Sequence, residues 1–195
     1  MSQIRPATKE DIDGIVAVYD RVKLHRDKLS DPHYCAYIQK HGFLLGQETR
    51  GSLFDLIGGS YEFLVSIDSG LVNGFLIADH KDKFNDDDYK TWFDPKLKSE
   101  YQNGLRVITL TTIAVDPTCI GQGIAAKLLN RLLLDLKTDG FQYLFSIVTI
   151  APITNCPSLV WHAQNGFKRL AMGKPREKLF DLNWYASVLF YTPIV

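Results

Sequence analysis

Residues 116–129 read DPTCIGQGIAAKLL: a proline turn, two glycines with a glutamine between them, and the start of a helical run. Glycine adopts backbone angles that other residues avoid and lets a second molecule come close to the main chain. Gly121 and Gly123 can therefore turn neighbouring N–H groups toward one point. At a helix N-terminus those groups lack internal partners and sit at the positive end of the dipole, which suits an anion, phosphate above all. A glycine-rich turn ahead of a helix is also common where nothing binds, and the short pattern alone does not separate the two.

Working outward, LRVITLTTIAV before the turn is long, β-branched and strand-like, and stops at Asp116-Pro117. After the turn the periodicity predicts a helix from about Gln122 to Thr138. Ile124, Leu128, Leu132 and Leu136 share one side, Lys127, Arg131 and Asp135 turn away, and Gly140 is the stop. FQYLFSIVTI is the next strand, Asn155 to Gln164 a helix ending at Asn165-Gly166, and FKRLAMG and SVLFYTP supply the last strands. Toward the N-terminus, Gln3 to Arg5 is a short strand, and TKEDIDGIVAVYDRV is a helix that Thr8 can cap, with Ile12, Ile15, Val16 and Tyr19 on one face. DPHYCAYIQKHG is a second short helix closed by Gly42. YEFLVSID and LVNGFLIAD form a hairpin about a Ser-Gly turn. The order β, α, α, β, β, β, α, β, α, β, β makes a mixed α/β sheet with the glycine loop near its middle.

The 195 residues suit one domain spanning 1–195, with a charged and aromatic insertion at about 80–103. Lys plus Arg (22) balances Asp plus Glu (22), so no broad positive field draws the chain to nucleic acid or an anionic membrane. Any phosphate is held locally. Cys35, Cys119 and Cys156 are scattered and lack CxxC spacing, which argues against a disulfide framework and a zinc site; no metal is expected. MSQIRPATKED has no secretory apolar core, and no long uncharged span follows, so a cytoplasmic protein is the expectation.

GQGIAA (121–126) matches the dinucleotide fingerprint G-x-G-x-x-G/A, but that fold puts its first glycine at the strand end and an acid about 20 residues on. Here Asp116 to Ile120 intervene, and FQYLFSIVTI carries no acid. A phosphate loop of the Walker type fails too: with Lys127 as its lysine, Ala126 replaces the second glycine and Leu128 the Ser or Thr.

A third pattern fits. Residues 120–125 (IGQGIA) align with Q/R-x-x-G-x-G/A, and NCPSLVWHAQNGF (155–167) with N-x-x-A-x-x-x-Y-x-x-x-G-F, in order and with a strand between them. In these two motifs the chain resembles the GCN5-related N-acetyltransferases (GNAT). Ile120 stands where that family has Arg or Gln, Ser158 where it has Ala, and His162 where it has Tyr. YKTWF (89–93) and NCPSLVWH (155–162) are also similar to a bacterial-type predicted acetyltransferase subgroup, with Tyr-x-x-Trp-Phe ahead of the first motif. The resemblance covers nearly the whole chain and implies a mostly antiparallel central sheet of about seven strands flanked by helices.

That resemblance implies an acetyl-CoA-dependent N-acetyltransferase acting on a primary amine, a small molecule rather than a protein, by direct attack on the thioester. Backbone N–H groups of Gly121, Gln122, Gly123, Ile124, Ala125 and Ala126 would bind the coenzyme diphosphate. The strand end at Ile113, Ala114 and Val115 would pair with the amide-bearing pantetheine arm. Asn155 and Ser158 would be further coenzyme contacts, and His162 the acid that protonates the departing thiolate. Family members often dimerise, which leaves a homodimer as an expectation.

Spacing offers a separate clue to the same helix. Asn155, Ser158 and His162 are 3 and 4 apart and share a stripe, a pattern that fits a water-facing surface or a buried, backbone-bonded histidine equally well. LRVITLTTIAV holds no carboxylate to act as base; Glu62 and Asp79, on or beside the hairpin, and ordered water are substitutes, both acids also readable as surface groups, and no base is assigned. In the insertion, Phe84, Tyr89, Trp92 and Phe93 can form a lip over the acceptor or pack the segment onto the core, while Asp86 to Asp88 attract a cation or are simply solvated. Two other functions fit: a coenzyme A binding module without activity, and a covalent transferase using Cys119, which sits just ahead of a helix start, with His162.

Overall fold

The computed structural model describes residues 2–80, 89–179 and 182–195. The elements run β1 (Gln3–Pro6), α1 (Ile12–Val22), α2 (Pro32–His41), α3 (Arg50–Leu56), β2 (Glu62–Asp68), β3 (Leu71–Asp79), β4 (Tyr89–Trp92), α4 (Pro95–Gln102), β5 (Val107–Val115), α5 (Ile124–Thr138), β6 (Tyr143–Ala151), α6 (Cys156–Gln164), β7 (Lys168–Gly173), β8 (Arg176–Leu179) and β9 (Leu182–Pro193). Every element read from the sequence is present, and the class is α/β as expected. The strand count is corrected upward: the described residues form nine strands instead of about seven, the additions being β4 and β8. Each is only four residues long, too short for an alternating pattern to register. α3 and α4 are likewise new. Among the described residues no helix is long and apolar enough to cross a membrane.

The chain divides into two units. The first takes the described residues of Met1–Leu24, Phe43–His80 and Leu110–Asp139, with strand order β1-β2-β3-β5. β1 with β2 and β2 with β3 are antiparallel, Val65 opposite Phe75 and Leu64 opposite Leu76. Alternation sends Phe63, Val65, Phe75 and Ile77 to one face, where they pack with Ile12, Ile15, Val18 and Tyr19 of α1 and Leu53 of α3. The opposite register, including Gly74, faces α5, whose Ile124, Leu128, Leu129, Leu132 and Leu136 are all buried. Burying five such side chains stabilises the unit by roughly 10 kcal/mol and fixes the start of α5 against β3.

The second unit takes the described residues of His25–Gly42, Lys81–Thr109 and Gly140–Val195. Its strand order is β6-β9-β7-β4, with β8 on β9, and every one of these pairings is antiparallel. On one face Phe145, Leu170 and Leu189 pack with Leu97 and Tyr101 of α4. The alternate register, Ser146 opposite Phe190, faces α6. α2 lies against α6: a Cβ on Gly42 would stand 3.1 Å from Asn155 Oδ1.

Candidate functional site

β5 delivers the chain to a turn built on one carboxylate. Asp116 is buried; its Oδ1 accepts the Thr118 N–H (2.9 Å) and hydroxyl (2.7 Å), and its Oδ2 accepts from the Arg21 guanidinium of α1. Burial alone would raise this carboxyl, but the two Thr118 bonds and Arg21 outweigh it and hold the group below its usual range. The Asp116 N–H donates to the carbonyl of Asn73 at 2.9 Å, the extra residue of a bulge opposite Ser66 and Ile67. The chain then passes the exposed Ile120 to Gly121 (φ 86°) and Gly123 (φ 73°), both left-handed.

These two glycines are required by backbone conformation and not by crowding, since a Cβ on either would meet nothing within 4 Å. The first main-chain bond into α5 is from the Lys127 N–H to the Gly123 carbonyl at 3.0 Å. The N–H groups of Ile124, Ala125 and Ala126 precede it and have no carbonyl within the helix to bond. Gly121, Gln122 and Gly123 are exposed. Three uncommitted donors at the positive end of a 15-residue helix, with an open glycine turn before them, are a ready anion site.

Gly74 was not singled out by the sequence reading, yet it underlies this turn. A Cβ there would lie 2.9 Å from Ile124 Cγ2 and 3.0 Å from the Ala114 carbonyl oxygen. β3, the end of β5 and the start of α5 meet at a point that admits only a hydrogen. The available signal was a glycine inside an otherwise apolar strand, LVNGFLIAD.

The other predicted residues lie in the second unit, on α6. Asn155 is its N-cap, the side-chain oxygen accepting the Ser158 N–H at 3.4 Å. Ser158 is half-buried, with its hydroxyl 3.4 Å from His162 Nδ1. His162 is only 2% exposed. Its Nδ1 lies 2.7 Å from the Ser158 carbonyl, and its Nε2 2.9 Å from Ser146 Oγ. A carbonyl only accepts, so Nδ1 carries the proton and Nε2 of the neutral ring accepts from the serine. Trp161, Phe167 and Phe190 surround the imidazole, with ring centroids at 5.0, 4.8 and 5.2 Å. Burial pushes its pKa down to about 4, partly opposed by the bond to Ser158. The predicted coenzyme residues thus form two groups: Ile113 to Val115 with Gly121 to Ala126 in the first unit, and Asn155 with Ser158 in the second, beside His162.

Of the four aromatics proposed for a lip, three are described: Tyr89 is buried and Trp92 packs against it at 5.5 Å between ring centroids, both in the α4-side core, and Phe93 is exposed. The remainder of the predicted lip, Phe84 and Asp86 to Asp88, lies outside the described residues. Glu62 is raised above its usual range, first by burial and then by Asp135, with Asp139 adding to it. Those neighbours sit near the C-terminal end of α5, eleven or more residues and hence roughly 16 Å or more along the helix from the glycine turn. Asp79 accepts the His80 N–H at 2.7 Å. Cys119 is half-buried beside the Thr118 hydroxyl at 3.7 Å. Among the described residues no three His, Cys, Asp or Glu side chains gather as metal ligands.

With the elements and the turn in place, solved structures show the class of fold. It is that of the GCN5-related N-acetyltransferases, matched end to end. The ribosomal-protein-S18-alanine N-acetyltransferase of Escherichia coli superposes with a TM-score of 0.65 at 18% identity, over 100% of this chain and 94% of that one. An N-acetyltransferase from Staphylococcus aureus Mu50 gives 0.61 at 22%, over 100% and 99%. A Salmonella typhimurium structure solved with its cofactor acetyl-CoA gives 0.66 at 17%, over 100% and 94%. No protein-family model and no curated protein sequence matches the chain. At these identities the likeness establishes the fold.

Proposed function

We propose that the protein is an acetyl-CoA-dependent N-acetyltransferase whose acceptor is the primary amine of a small molecule. The observation that carries this reading is the open, left-handed Gly121–Gly123 turn delivering the uncommitted N–H groups of Ile124, Ala125 and Ala126 at the end of β5. Similarity of fold to enzymes that include one solved with acetyl-CoA supports it.

The residues present fit the coenzyme. The turn leaves room for a close approach at both glycines, and N–H donors at the positive end of the α5 dipole suit an anion such as a diphosphate. Gly121 to Ala126 would hold that group, and the main chain of Ile113 to Val115 the amide-bearing arm. Asn155 would serve mainly by fixing the start of α6, because its side-chain oxygen already caps the helix. Bound acetyl-CoA supplies a thioester whose carbonyl carbon takes an amine nitrogen as the C–S bond breaks. A main-chain N–H near Val115 facing the carbonyl oxygen would lower the barrier by about 3 kcal/mol.

His162 takes a different part from the acid expected of it. Donating a proton requires either an imidazolium or an unengaged N–H, and a ring neutral at pH 7 with its Nδ1 proton on the Ser158 carbonyl offers neither. We assign it to fastening α6 onto β6 through Ser146 and assign the acid to no residue. The same observation lends weight to a second reading, a coenzyme A binding module without activity.

A thiol-release screen with acetyl-CoA against polyamines, amino acids, aminoglycosides and peptide N-termini tests both. Release with one of the small amines is the expected result. Saturable binding with no release across the panel favours the binding module, and no binding at millimolar coenzyme removes both readings.

A further inference from the structure

We propose that Arg21 is a positioning residue for the glycine turn, holding it in place through Asp116; the inference rests on reading that turn as the coenzyme site. Gly121 and Gly123 give the turn its shape but no side-chain packing, since beyond the adjoining residues a Cβ on either would meet nothing within 4 Å. On its far side the Gly123 carbonyl ties the turn to α5 through the Lys127 N–H, and on its near side the main-chain bonds lead back to one residue. The Gln122 N–H reaches the Cys119 carbonyl at 3.4 Å, and the Cys119 N–H reaches the Asp116 carbonyl at 2.8 Å. The Asp116 side chain holds Thr118 through two further bonds, at 2.9 and 2.7 Å.

A carboxylate only 6% exposed needs a counter-charge to stay ionised and correctly aimed. Both Thr118 donors are neutral. The charge comes from Arg21, in the last turn of α1, where a cation also suits the helix dipole. With a side chain 57% exposed, Arg21 reaches the turn from solvent, and it brings positive charge to a loop in which Ile120 brings none.

Three variants test the clamp: Arg21→Gln, Arg21→Lys and Asp116→Asn. In the free protein, amide hydrogen exchange across 118–122 is expected to rise in Arg21→Gln and Asp116→Asn and to return most of the way to wild type in Arg21→Lys. Coenzyme A affinity by calorimetry should fall about tenfold in Arg21→Gln. In turnover, KM for acetyl-CoA should rise with kcat nearly unchanged, a split that general destabilisation does not produce. Wild-type exchange at 118–122 in Arg21→Gln would overturn the clamp whether or not coenzyme binds. Raised exchange in a protein whose wild type shows no coenzyme affinity would uphold the clamp and remove the coenzyme reading instead.

Discussion

Ser146 Oγ on β6 and His162 Nε2 on α6 are hydrogen-bonded at 2.9 Å, with the rings of Trp161, Phe167 and Phe190 around the imidazole. The ring is neutral when folded, with a pKa near 4 against 6.5 in the open chain, so between those values only the unfolded state takes up the proton. Stability should therefore fall as pH drops below about 6.5 and level off near 4, by on the order of 3 kcal/mol from this residue. Asp11 and Asp116, both held below their usual range, give up their contribution only at lower pH, and Glu62 works in the opposite direction. Replacing both partners, as His162→Phe with Ser146→Ala, should flatten the thermal-unfolding midpoint against pH between 6.5 and 4. An undiminished slope in that double variant would refute the assignment.

That pair also shows where sequence reading stopped. The stripe of Asn155, Ser158 and His162 was legible from helical spacing, because spacing fixes which residues share a face. What the face meets was not legible, because Ser146 lies on another strand and nothing local to FQYLFSIVTI marks one serine as a histidine's partner. The glycine turn was readable for the opposite reason: it is local, and its chemistry lies in the main chain of consecutive residues. α5 was readable from Ile124, Leu128, Leu132 and Leu136, all of them buried. β4 and β8 escaped because strands this short owe their form to β7 and β9 alongside.

Gly74→Ala should be among the more damaging single-methyl changes in the first unit. Its Cβ would press on Ile124 Cγ2 at 2.9 Å and on the Ala114 carbonyl oxygen at 3.0 Å, and the second of these is main chain that cannot swing aside. A loss of about 1–3 kcal/mol is expected from urea denaturation. Because the displaced atoms are the end of β5 and the start of α5, coenzyme affinity should fall along with stability. A variant as stable as wild type would mean that β3 and β5 separate freely at this point.

Cys119→Ala separates direct transfer from a covalent thiol route. The thiol lies in the turn and, among the described residues, its polar contact is the Thr118 hydroxyl at 3.7 Å, and the histidine it would need has both ring nitrogens engaged by Ser146 and Ser158. Turnover in the variant should stay within about twofold of wild type, since no group on the reaction path is removed. A drop of a hundredfold or more, with an acylated thiol found by mass spectrometry of the wild type, would reinstate the covalent route.

Gly121→Ala and Gly123→Ala probe the turn with the opposite geometry to Gly74. Neither added methyl would meet an atom within 4 Å, so whatever each costs comes from holding a non-glycine residue at φ 86° or 73°. That strain is about 1–2 kcal/mol per residue. The chain can relieve it by letting the turn relax toward negative φ, because no packing pins those two positions. Relaxation spares the fold but turns the N–H groups at the start of α5 away from the arrangement the proposed diphosphate site needs. Thermal stability should therefore fall by no more than the strain, while calorimetry shows coenzyme A binding weakened by tenfold or more, a larger loss than the strain alone accounts for. If both variants lose stability and keep full affinity, the donors do not converge on the diphosphate and the anion is held elsewhere.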